Sequence, residues 1–280
     1  MVGSEVVAAA SESGWDVIGL SHAQLDVGDR AAVRAAVVSA RPHVVLNAAA
    51  YTRVDAAESD AEAARRANAE GPGWLAEACA ARGMLLIHIS TDYVFDGRAR
   101  RPYRPDDPAS PLGVYGRTKW DGEQAVRERL DRHLIVRTSW VFAPHGRNFL
   151  CTIARLARDR ETISVVVDQR GCPTLAGDLA RALLAAGAAA VAGPVVAGTY
   201  HFCNAGETTW HCFASAIVEG LAGHEHIRCR SVVPIATKDH PTASPRPAYS
   251  VLDTTSWCET FGAQPRPWQE ALADALGRLR

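Results

Sequence analysis

Short runs rich in β-branched and aliphatic residues alternate along this chain with longer stretches whose apolar residues recur every three to four positions. The short runs fall at 16–20, 43–46, 84–89, 134–137, 163–167 and 199–202, and the helical patterns at 31–40, 61–81, 115–130, 149–158 and 178–190. Strand and helix in strict alternation leave few choices. Each crossover is right-handed, so the strands line up parallel and the helices cover both faces of the sheet. The expected fold is therefore α/β, a Rossmann-like doubly wound parallel sheet. Such sheets hold ligands beyond the carboxyl ends of their strands. Three of those ends carry polar or small residues here: Asn47, Ala48, Ala49 and Ala50 after one run, Ser90, Thr91, Asp92 and Tyr93 after the next, and Thr138, Ser139 and Trp140 after a third.

From about residue 204 the rhythm changes to longer polar loops punctuated by Pro234, Pro241, Pro245, Pro247, Pro265 and Pro267, with a closing helix over 268–279. This predicts a dinucleotide-binding domain from residues 1–143 and 161–203, and a smaller substrate lobe from 144–160 and 204–280.

Tyr115 and Lys119 lie four apart in a predicted helix, so a phenol and an ammonium share one face. A free phenol ionises near pH 10, outside the range of efficient acid–base catalysis, and a neighbouring cation favours the phenolate. Thr91, at the end of the preceding strand, can offer a second hydroxyl to the same carbonyl oxygen. Together they suggest carbonyl/alcohol redox chemistry.

Composition removes several other classes. With 30 Lys+Arg against 31 Asp+Glu there is no basic excess for a nucleic-acid surface. Arg98, Arg100, Arg101 and Arg104 read as a solvated loop or a loop meeting an anionic substrate. Seven scattered cysteines with no Cys-x-x-Cys pair fit reduced thiols and a cytoplasmic protein. His224 and His226 near Cys229 read as a polar loop rather than a metal site. No apolar run is long enough for a bilayer.

Several segments in a fixed order resemble one family. They are Asn47 through Asp55 with Glu58; Ser90 through Gly97; Pro111 through Lys119; Arg137 through Phe142; Asp168 through Thr174; and Arg246, Pro247 and Ser250. The chain is similar to extended short-chain dehydrogenases/reductases, and within them to the dTDP-4-dehydrorhamnose reductases. That resemblance implies reduction of the C4 ketone of a dTDP-6-deoxy-4-hexulose to dTDP-L-rhamnose, a precursor of cell-wall polysaccharide. NADPH or NADH would be the hydride donor.

By position, Tyr115 would be the proton donor, Lys119 would lower its pKa and hold the nicotinamide ribose, and Thr91 would polarise the ketone. Asp92, Tyr93 and Trp140 match substrate-pocket positions, although Trp140 also reads as core and Asp92 as the cap of a turn. Arg246 matches a partner for the substrate pyrophosphate, or is an exposed arginine in a proline-rich loop. On the cofactor side, Asp26 and Val27 match the pair flanking the adenine, and Ala48, Ala49 and Ala50 are small enough for close backbone approach. Asn68 matches a residue packed near the active site. Ser21 and His22 follow the second expected strand. An Arg there would favour NADPH and an Asp NADH; His22 is neither, so both nicotinamides stay open.

The family pattern opens with a strand and a Gly-x-x-Gly-x-x-Gly turn, and Gly3 falls level with the last of those glycines. The expectation is a coding region that starts upstream of Met1. Glu5 matches one position of an interface magnesium in some members; no required metal is expected. The partners implied are a dTDP-sugar and a second copy of the chain as homodimer, with no nucleic acid and no membrane. Two other functions remain open: a related nucleotide-sugar 4-ketoreductase making a different deoxyhexose, and a catalytically idle regulatory relative.

Overall fold

In the computed structural model, residues 1–193 and 197–279 are described. The chain opens with α1 (Val2–Glu12) and, after a long connection, α2 (Arg30–Ala40), whose first turn is capped by Asp29 accepting from the Ala31 and Ala32 amides at 2.9 and 3.0 Å. Then come β1 (Val44–Asn47), the short α3 (Val54–Ala57) and α4 (Ala61–Arg65), a π-helical turn over Arg66–Glu70, and α5 (Gly71–Ala80). β2 (Leu85–Thr91), α6 (Val114–Arg129) and β3 (His133–Thr138) follow. Next are β4 (Val141–Phe142), α7 (Phe149–Asp159), β5 (Thr162–Val166), β6 (Arg170–Gly171), β7 (Thr174–Leu175) and α8 (Ala176–Ala192). The rest is β8 (Gly198–His201), β9 (Thr208–Thr209), α9 (Trp210–Ala222), β10 (Ser231–Ile235), α10 (Thr255–Phe261) and α11 (Trp268–Gly277).

The main sheet is parallel, in the order β1-β2-β3-β8. Its strands are apolar on both faces because helices cover both. In β2, Leu85 and Ile87 point into a cluster with Leu134, Val136 and the α8 residues Leu179, Leu183 and Ala186. Leu86, one residue out of step, points the other way, into Ile135, Val33, Val37, Leu75, Cys79 and Val126. Each such leucine, removed from water, contributes about 2 kcal/mol. The doubly wound reading of the sequence therefore holds.

Three expectations change. The run at 16–20 forms no strand and pairs with no described strand, and Ile18 and Leu20 are 63% and 48% exposed. Extended backbone becomes a strand only where another strand's N–H and C=O groups face it, and β1 has its ladder on the β2 side alone. The run at 163–167, expected in the main sheet, forms β5 and pairs in parallel with β10 as a separate two-stranded sheet. Its inward residues Ile163 and Val165 join a hydrophobic cluster with Leu150, Phe213, Ile217, Trp268 and Leu272, which is where their apolar alternation is satisfied. Finally, the helix expected over 61–81 contains a π turn that turns the Asn68 side chain inward, fully buried.

Candidate active site

The helix α6 is set down at two glycines. A Cβ on Gly116 would lie 2.2 Å from the Tyr93 carbonyl oxygen, and one on Gly122 would lie 2.0 Å from that of Asn68. Only glycine permits this approach. At its start, the Val114 amide donates to the Glu58 carboxylate at 3.0 Å, across 56 residues of chain. The helix so placed carries Tyr115 and Lys119 to the carboxyl end of β2.

Lys119 is buried and its Nζ donates to the Ile89 carbonyl at 2.6 Å. Burial pushes its pKa down to about 8, against the opposing pull of Glu123 one turn further on. Glu123 is itself fully buried and accepts from Ser90 Oγ at 2.6 Å, Arg137 Nε at 2.9 Å and Arg127 Nη2 at 2.8 Å. Burial would raise its pKa, but the two guanidiniums and Ser90 outweigh it and hold the carboxyl below its ordinary range. Behind Lys119, His88 is kept neutral by burial and by the charges of Lys119 and Arg127. Its Nδ1 meets Asn47 Nδ2 at 3.1 Å.

Thr91, Asp92, Tyr93 and Tyr115 come together. The Thr91 hydroxyl donates to Asp92 Oδ1 at 3.1 Å, and the Thr91 side chain lies beside the Tyr115 phenol. The Tyr93 ring meets the Tyr115 ring edge-on at 5.6 Å. Asp92 is buried, is pushed up to about 6 by that burial, and leaves Oδ2 without a partner. The expected acidification of Tyr115 by Lys119 is not what the resting site holds. Burial pushes the phenol up to about 12, with Thr91 pulling down and the Asp92 charge pushing up, while the Lys119 ammonium is turned to Ile89. The phenol is therefore protonated at neutral pH.

Trp140 is half-buried, with left-handed backbone at φ 47, and stacks on Trp210 at 3.6 Å between ring centroids. The core reading of Trp140 therefore applies in part, since one face of its ring is packed on Trp210. Asp92 is no simple turn cap, because Thr91, not Asp92, accepts the Tyr93 amide at 3.2 Å. Arg246 is not an exposed arginine. Its guanidinium pairs with Asp55 at 2.7 Å and lies 6.0 Å from the Tyr93 ring.

Of the expected cofactor residues, Gly3 and Ala48 meet. An added Cβ on Gly3, in the first turn of α1, would meet the Ala48 side chain at 3.6 Å, so the uncapped start of that helix abuts the end of β1. Asn47 Oδ1 holds the Ala49 amide at 3.0 Å. Asn68 bridges Tyr51, accepting from its amide at 2.8 Å and donating to its carbonyl at 3.1 Å. Asp26 accepts from the Gly28 amide and from Arg66, at 2.9 and 2.7 Å. The Val27 side chain is spent on the core, leaving only its backbone for a ligand. Ser21 is exposed and bound to Gln24, and His22 is exposed beside it. Glu5 sits 3.5 Å from His145 and 3.8 Å from Arg278.

The roles of Glu123, His88 and Trp210 went unread in the sequence. Glu123 had one signal, its place one turn after Lys119 on the same face. Trp210 had none, because its partner lies 70 residues away.

Comparison with known proteins agrees with this geometry. The family model described as RmlD substrate binding domain matches residues 1–280. A dTDP-4-dehydrorhamnose reductase of Streptomyces griseus is 45% identical over 100% of this chain and 91% of its own length. A probable dTDP-4,6-dihydroxy-2-methyloxan-3-one 4-ketoreductase of Streptomyces antibioticus is 44% identical over 99% of this chain and 91% of its own. The crystal structure of dTDP-4-dehydrorhamnose reductase from Bacillus anthracis in complex with NADP superposes with a TM-score of 0.90, at 33% identity over 98% of this chain and 94% of that one. With the match running the whole length and the hydroxyl, phenol and ammonium gathered at one strand end, this chain belongs to the RmlD substrate binding domain family.

Proposed function

We propose that this protein is an oxidoreductase that reduces the C4 ketone of dTDP-6-deoxy-L-lyxo-4-hexulose to dTDP-L-rhamnose, using NADPH or NADH. One observation carries the reading: Thr91, Tyr115 and Lys119 converge at the carboxyl end of β2, with the Lys119 ammonium on the Ile89 carbonyl and the Tyr115 ring edge-on to that of Tyr93. The relatives named above, one of them with NADP, support it.

The residues fit a dinucleotide. The uncapped start of α1 beside Ala48 leaves backbone N–H groups for a pyrophosphate, and the small side chains of Ala48, Ala49 and Ala50 let it come close. Asp26 would hold the adenine end and Lys119 the ribose end. The bound nicotinamide supplies a hydride.

Everything else falls to the chain. As the ketone carbon is reduced, charge grows on its oxygen, where preorganised donors stabilise most. Tyr115 gives its proton to that oxygen, and Thr91 holds the oxygen in line by a hydrogen bond. Lys119, swung from Ile89 toward the phenol, stabilises the phenolate left behind. Trp140 and Tyr93 wall the sugar, and Arg246 meets the pyrophosphate. Seven free thiols support a cytoplasmic place of work.

The test is oxidation of NADPH by the purified chain with enzymatically prepared dTDP-4-keto-6-deoxy-L-hexulose, followed by sugar analysis of the product. Rhamnose is expected, and Tyr115→Phe should lose at least about a hundredfold in kcat. A second reading, a 4-ketoreductase yielding another deoxyhexose, is supported by the 44% identity to the Streptomyces antibioticus protein. An epimer of rhamnose as product would establish it; no NADPH oxidation would overturn both.

A further inference from the structure

The wall of the sugar pocket is backed by aromatic rings that the chemistry above does not use. Trp140 lies flat on Trp210, centroids 3.6 Å apart and planes within 8°. Trp210 in turn meets Phe149 at 4.4 Å and Phe213 at 6.5 Å, and Phe213 meets Trp268 at 5.6 Å. These rings run from the site into the core of the lobe.

The Trp140 backbone gives a reason for such backing. A bulky residue at positive φ is uncommon and strained, so the surroundings must over-determine it. On one side, Gly171 leaves room for the indole: a Cβ there would lie 2.5 Å from the Trp140 ring. On the other side stands Trp210. Its own position is fixed by β6–β9 pairing, Gly171 opposite Thr208 and Arg170 opposite Thr209, and by Thr209 capping the Cys212 amide at 3.1 Å. The strand that carries Gly171 is thus hydrogen-bonded to the one that leads into Trp210, and the slot for Trp140 is built by both.

We propose that Trp210 is a positioning residue for the sugar pocket, holding the Trp140 indole by face-to-face stacking so that this ring presents one fixed surface to the hexulose. This rests on the function proposed above, with Trp140 as substrate wall. Trp210 acts through Trp140 and touches neither the hydride donor nor the reacting carbonyl.

Trp210→Ala, Trp210→Phe, Trp140→Ala and the double variant W140A/W210A would be compared with the parent. Steady-state kinetics would be run against ketosugar and against NADPH. The far-ultraviolet exciton couplet of the two stacked indoles reports the stack directly, with no turnover required. Trp210→Ala should lose the couplet and raise the sugar KM by about tenfold, with kcat within about twofold and the NADPH KM unchanged. Trp210→Phe, which can still stack, should recover most of the sugar KM. The double variant should be no worse than Trp140→Ala alone, because both act through one ring. A Trp210→Ala protein that has lost the couplet but kept its sugar KM overturns the proposal. So do multiplied effects in the double variant, or a fall in kcat at constant KM. If Trp210→Ala does not fold, a cycle of Trp140→Leu and Trp210→Leu, neither of which can stack, reads the same coupling, and additivity there overturns it. An inactive parent removes the function reading and this inference with it; an active parent with an indifferent Trp210 removes only the latter.

Discussion

Asp55 grips Arg246 at 2.7 Å across 191 residues of chain, and its other oxygen accepts the Ser244 amide at 3.1 Å. Burial would raise the Asp55 pKa, but the Ser244 amide and the Arg246 guanidinium outweigh it and hold the carboxyl below its usual range. The pair therefore stays charged at neutral pH and keeps the proline-rich loop against the residues that follow β1. A guanidinium already oriented loses less freedom when it meets a pyrophosphate. Arg246→Ala should raise the KM for the nucleotide sugar by about tenfold with little change in kcat, read by steady-state kinetics. An unchanged KM would free Arg246 from any part in binding substrate.

The ammonium of Lys119 is the group that sets the alkaline limit. With its pKa pushed down to about 8 by burial, it is charged below that pH and neutral above it. Activity that depends on the cation should be complete at lower pH and fall as pH rises through about 8. The profile of kcat/KM against pH measures this. An activity flat to about pH 10 would show that the charge on Lys119 is not needed.

Asp92 trades stability for its place in the site. Its folded pKa, about 6, is above the ordinary carboxyl value of 3.8, so between those values the folded state binds the extra proton. Above about pH 6 the fold must carry a buried charge with one oxygen unpartnered, whereas the unfolded chain solvates it. Asp92→Asn should then be the more stable protein at about pH 7.5, by as much as about 3 kcal/mol, and the gain should vanish below about pH 4. Urea denaturation at the two pH values checks the sign. Equal gains at both would mean that the charge is not the cause.

Glu123 is the sole acidic side chain among the described partners of the buried Arg137 guanidinium. Replacing it by Gln leaves that cation in low dielectric with a neutral neighbour, at a cost of about 3–5 kcal/mol. The melting temperature of Glu123→Gln should fall accordingly. Replacing Gly122 by Ala should cost at least as much as an ordinary overpacked site, about 1–3 kcal/mol, since the new methyl meets backbone and not a flexible side chain.

How far the sequence could be read depends on the range of the interaction. Strand runs at 84–89 and 134–137 announced β2 and β3 because apolar residues covered on both faces leave an unbroken signature. Tyr115 and Lys119 were legible for a local reason, their shared helix face. The run at 163–167 was just as visible as a strand, yet its partner β10 begins near residue 231 and nothing local says which sheet it joins. The same holds for Arg246, whose partner is on the far side of the chain, and for Trp210, seated under Trp140 by a fold that brings distant segments together. Proximity along a helix predicts that Lys119 neighbours Tyr115, but burial raises the phenol and the Ile89 carbonyl decides where the ammonium points, neither of which is local in the sequence.

Because α6 is pressed against carbonyls at Gly116 and again at Gly122, the phenol and the ammonium it carries can be shifted only together. Descendants of this chain that come to accept another sugar have little freedom on that side. Their divergence should accumulate around Trp140, Gly171 and Trp210 and in the loop around Arg246, while α6 stays as it is.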